Sequence, residues 1–117
     1  MTTAPKNQLS FAGDPNTDTA TVTGSGGVVP TGTVTFYWCG PNPNPIACTV
    51  GTGTKIGSPV TLTPVTANKA TATSGTVSPV PLGNYCFLGV YSGDGHYASA
   101  SDASVPGECF QVETGHP

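Results

Sequence analysis

The chain has 117 residues, three lysines, no arginine and a formal net charge of −3. Phosphate recognition leans on Arg and Lys, so nucleic acid and anionic membrane surfaces are poor partners for it. No apolar run reaches the length of a membrane span, so membrane insertion is not expected.

The start, Met1-Thr2-Thr3-Ala4-Pro5, lacks the basic residues and apolar stretch of a signal peptide. The chain reads as a mature or recombinant piece of a longer protein whose signal is missing, or as a small protein exported or assembled by another route. Thr and Val dominate the sequence, and both are β-branched and suited to strands. Sixteen glycines and twelve prolines imply many turns. Leu, Ile, Val and Phe are few, so the core should be thin and would gain from covalent staples.

In chain order, residues 9–12 are a weak first strand candidate. Residues 18–23 alternate, with Ala20 and Val22 on one face. A loop rich in Gly and Pro follows. Residues 33–39 are the strongest strand: Val34, Phe36 and Trp38 share one face, and Thr35, Tyr37 and Cys39 the other. The Pro/Asn-rich loop 40–45 comes next. Residues 59–63 put Val60 and Leu62 together, and residues 69–73 alternate with small side chains. Residues 84–91 are apolar on both faces, as in a central strand. There Tyr85, Phe87 and Tyr91 take one face, and Cys86, Leu88 and Val90 the other. Residues 108–113 close the pattern with Phe110 and Val112 inward.

Seven short strands with turns every eight to twelve residues predict an all-β sandwich with antiparallel strands and Greek-key connections. No stretch has a sustained helical period, and no internal repeat is visible. Residues 1–117 read as a single domain with a core over 18–113. Residues 1–8 and 114–117 are expected to be flexible tails.

Four cysteines, Cys39, Cys48, Cys86 and Cys109, include no C-x-x-C pair. An even count in a small, turn-rich chain reads as two disulfides, and so as an oxidising compartment.

The ordered segments DTATVTG, PTGTVTFYWCGP, ACTVGTGTKIGSPVTLT, LGNYCFLGVYSGDGHY and ECFQV resemble a bacterial immunoglobulin-like domain. They are similar in particular to the repeat modules of secreted and cell-surface proteins of actinobacteria. The resemblance covers roughly residues 19–112. It implies a structural or binding module without catalysis, at the cell surface or outside the cell. Residues 8–16 match the family pattern poorly, which leaves open whether a first strand pairs in cis.

Tyr85 follows Leu82-Gly83-Asn84 at a strand start, the place of a tyrosine corner, whose hydroxyl ties back to upstream backbone. Gly93, Asp94 and Gly95 carry hairpin-turn chemistry, with Asp94 as a turn former. Asp94 and His96 lie beside no motif-placed nucleophile, so no catalytic residue is assigned. Val34, Phe36, Trp38, Tyr85, Phe87 and Phe110 are expected to fill the interior. The favoured disulfides are Cys39–Cys48, closing the Pro/Asn loop, and Cys86–Cys109, across the last hairpin. The main rival joins Cys39 to Cys86.

Asp14, Asn16 and Asp18 have the look of calcium ligands but lack the rest of a calcium loop, so no metal and no cofactor is assigned. An internal amide cross-link would use Lys55 or Lys69, with no acid marked beside either. Three readings follow. The first is a non-enzymatic spacer, display or adhesion module whose partners are neighbouring domains or a surface protein. The second is a self-assembling fibre or virion subunit that pairs with like subunits. The third is a glycan-binding module using Tyr37, Tyr91 and Tyr97.

Overall fold

The computed structural model describes residues 1–114 of the chain. Strands account for all its regular structure there. The strands are β1 (Thr2–Pro5), β2 (Leu9–Phe11), β3 (Asp18–Thr23), β4 (Thr33–Asn42), β5 (Thr54–Lys55), β6 (Val60–Thr61), β7 (Thr63–Thr66), β8 (Lys69–Thr73), β9 (Gly83–Tyr91), β10 (Ala100–Asp102) and β11 (Cys109–Glu113).

One sheet has the order β1-β3-β8-β7. The other has the order β2-β11-β9-β4-β5, with β10 also on β9 and β6 also on β4. The chain crosses between sheets after β1, β2, β3, β6 and β8, which makes an immunoglobulin-like sandwich. All pairings are antiparallel except β2, which runs parallel to β11.

The two sheets divide the core by size. β3 and β8 contribute Ala20, Val22, Ala70 and Ala72, all buried. The second sheet faces them with Val34, Phe36, Tyr85, Phe87, Tyr91, Phe110 and Val112. Small against large is how facing layers interdigitate. Four aromatic rings stack in a row: Trp38 to Tyr85 at 5.3 Å, Tyr85 to Phe110 at 5.5 Å, and Phe110 to Phe87 at 5.2 Å. Each fully buried ring contributes roughly 1.5–3 kcal/mol, so this row is the energetic centre of a thin core.

Two sequence expectations need correction. Residues 1–8 are not a loose tail, because β1 pairs with β3 from Thr2↔Thr21 to Pro5↔Asp18. Its inward residues are Thr3 and Pro5, neither of which reads as a strand core in sequence. A first strand therefore pairs in cis.

The 59–63 strand divides. Val60–Thr61 stays on β4, Leu62 is buried at the crossing, and Thr63–Thr66 joins β8 in the other sheet. The expected last strand, 108–113, forms as β11, and an additional short strand, β10, precedes it. β10 and β11 occupy one side of β9 in succession, with residues 103–108 looping out between them. The expected tail 114–117 lies outside the described residues beyond Thr114.

Gly89 is the inward residue between Phe87 and Tyr91. A Cβ there would stand 2.9 Å from the Thr3 Cγ2, so the missing side chain is what lets β1 lie over β9. Gly40, at φ 135°, backs onto the Tyr85 ring, where a Cβ would approach to 2.6 Å. Only glycine meets both demands at that position.

Candidate functional site

The cysteines lie on the outer face of the second sheet. Cys39, Cys86 and Cys109 are directly opposite one another across β4, β9 and β11. The bonds are Cys39–Cys48 and Cys86–Cys109. The rival Cys39–Cys86 pairing was geometrically reasonable, since the two residues share a register position. Cys48 resolves the choice by folding back over this face, where it is buried beside Cys86, Leu88 and Cys109. The disulfides thus build a second small apolar cluster outside the main core.

Tyr85 is almost fully buried, and its hydroxyl donates to the Pro81 carbonyl at 2.7 Å. That is a tyrosine corner. Burial pushes the Tyr85 hydroxyl pKa up from its ordinary value and keeps it a donor.

Asp94 sits in the loop between β9 and β10 and organises that end of the sandwich. Its Oδ1 accepts from the N–H groups of His96 and Tyr97, both at 2.8 Å. Its Oδ2 accepts from the Thr31 N–H at 2.8 Å and the Thr31 hydroxyl at 3.0 Å. The Thr31 N–H first, and then those of His96 and Tyr97, hold its carboxyl well below the usual carboxylate range. Gly93 has the left-handed backbone expected of it, with φ 76°, whereas Gly95 has no positive φ. The turn needs one such residue because Asp94 shapes the rest.

The aromatic residues considered for sugar binding are engaged in the fold. Tyr91 is buried and donates to the Thr31 carbonyl at 2.7 Å. The Tyr97 hydroxyl accepts from the Ser25 N–H at 3.0 Å and donates to the Val28 carbonyl. Tyr37 packs against the outer cysteine cluster. These rings form no shared exposed platform.

Asp14, Asn16 and Asp18 do not converge. The Asn16 amide spans the Asn7 backbone, accepting from its N–H at 3.1 Å and donating to its carbonyl at 2.8 Å. Asp18 points into the sandwich. No metal-ligand group of three occurs among the described residues.

The feature the sequence reading missed is a buried carboxyl pair. Asp18 on β3 and Glu108 just before β11 are both 0% exposed. They meet between the sheets, within hydrogen-bonding reach of each other. No N–H or O–H reaches any of their four oxygens in good geometry, and the buried Thr3 hydroxyl also lacks a well-placed partner.

Burial raises both carboxyl pKa values above the ordinary range, and the Asp18 charge pushes Glu108 higher still. Asp102 lies close by and adds to the repulsion. Burial alone would raise Asp102 as well. It is held low by the Ser104 hydroxyl at 2.6 Å, the Ser104 N–H and the Thr3 N–H, both at 3.0 Å. A sequence signal existed: Asp18 shares its strand face with Ala20 and Val22, and Glu108 shares one with Phe110 and Val112.

Comparison with protein-family models, curated proteins and solved structures finds no match to this chain.

Proposed function

We propose that the chain is a non-enzymatic extracellular module of the bacterial immunoglobulin-like kind, which spaces or displays neighbouring domains or takes part in adhesion. The observation that carries this reading is where the chain enters and leaves. β1 lies beside the Gly89 end of β9, where Gly89 contacts Thr3. β11 runs out beside the Gly83 end, where Val112 faces Gly83. Entry and exit at opposite ends of one strand suit modules joined in series.

The two disulfides support an oxidising setting. The bonding of Asp94 supports a structural role for the loop that carries it. The self-assembling alternative draws less support, because β1 covers the β3 edge in cis and Pro64 removes an N–H donor from the exposed edge strand β7.

Light scattering and negative-stain microscopy of the oxidised chain test the reading. A monomer of one chain mass is expected. Ordered filaments or closed rings would overturn it in favour of a structural subunit.

A further inference from the structure

The Asp18–Glu108 pair has no cationic partner among the described residues. The charges acting on it are its own and that of Asp102. From β9 the Phe87 N–H donates to the Glu108 backbone carbonyl at 2.8 Å, and β1 contributes the Thr3 hydroxyl. Two ionised carboxylates in this enclosure would repel each other, and the poorly placed Thr3 hydroxyl and Thr19 N–H offset only part of the loss of water. One proton between them removes a charge and supplies the missing donor, as in other close carboxyl pairs.

The position of the pair matters as much as its chemistry. Asp18 belongs to the first sheet, and Glu108 to the second. Thr3, which touches Glu108, belongs to the short edge strand β1. We propose that Asp18 and Glu108 share a proton across the sandwich, and that this shared proton is a pH-sensitive lock holding β1 against the β10–β11 side of the second sheet.

The direction of the pH dependence follows. The folded chain keeps protons that the unfolded chain releases near the ordinary carboxyl range, at about pH 4. Stability is therefore greatest at mildly acidic pH and declines as pH rises through neutral to alkaline. The decline reaches about tenfold in the unfolding constant per pH unit for each retained proton. β1 has four residues and an open outer side, so it is the part expected to yield first.

Denaturant unfolding of the oxidised full chain, from about pH 5 to about pH 9, tests this lock above the ordinary carboxyl range. The wild-type unfolding constant should climb with pH. Glu108→Gln supplies a permanent neutral donor to Asp18 and should flatten the climb. A flat wild-type profile, or a Glu108→Gln profile that tracks the wild type, would overturn the proposal. So would a calcium-induced stabilisation at the alkaline end that Glu108→Gln abolishes, since the pair would then hold a cation in place of a proton. If that variant does not fold, hydrogen exchange of the wild type decides. After correction for intrinsic rates, β1 amides should lose protection relative to β9 as pH rises. Parallel behaviour of the two strands would overturn the lock.

Discussion

Asp94 and the Asp18–Glu108 pair put the same functional group in opposite settings. Asp94 lies at a half-exposed loop and accepts four hydrogen bonds from Thr31, His96 and Tyr97. Asp18 and Glu108 lie between the sheets with no well-placed donor. Hydrogen bonding favours the charged form at the first site, and burial favours the neutral form at the second. The carboxylate is the glue of the loop at one place and a proton holder in the core at the other. The two should therefore govern opposite limbs of the stability–pH profile.

The sign differs between the limbs. The Asp94 carboxyl is depressed in the fold, so its contribution is present above the ordinary carboxyl range and is lost as pH falls through its folded value. The buried pair is raised, so its contribution is lost as pH rises.

The largest way to break this contrast is to open the bridge beside Glu108. Replacing Cys86 and Cys109 together by Ala should cost about 3 kcal/mol and weaken the alkaline limb, because Glu108 adjoins Cys109. Urea unfolding at acidic and alkaline pH measures both. A smaller break comes from Gly89→Val. Its side chain would meet Thr3 and force β1 outward, at about 1–3 kcal/mol. Loss of β1 protection in hydrogen exchange, with β4 unchanged, is the expected signature.

Tyr85→Phe is a control that touches neither carboxyl set. It removes the bond to Pro81 and should cost about 1 kcal/mol equally at all pH values below the tyrosine range. A pH-dependent cost would show that the tyrosine corner is coupled to the acids. The smallest effect is expected for Asp94→Asn, because the amide still offers one acceptor and water reaches the loop. It should lower the melting temperature near neutral pH and flatten the acid limb, leaving the alkaline limb as it is.

Much of the architecture was legible in the sequence because side-chain alternation reports the pleat. The boundaries of β3 and β8, and the inward placement of Val34, Phe36, Phe87 and Phe110, follow from period-two patterns. The tyrosine corner was legible too, because its position at a strand start is local.

What stayed hidden depended on tertiary pairing. β1 has no apolar face, and its place is set by the gap at Gly89, a residue distant in sequence. β7 is exposed at all four positions and is defined only by its bonds to β8. The carboxyl pair was half legible. Alternation put one acid on each inward face, but no local pattern says that strands distant in sequence will bring those acids together.

The most direct test of the contrast is a carbon-13 NMR titration of the side-chain carboxyls of Asp18, Asp94 and Glu108 in the folded, oxidised chain. The expected result is that Asp94 remains ionised at acidic pH, while the buried pair still carries a proton at neutral pH and titrates as a coupled unit. Ordinary, independent titration of all three near pH 4, the usual carboxyl value, would contradict the account.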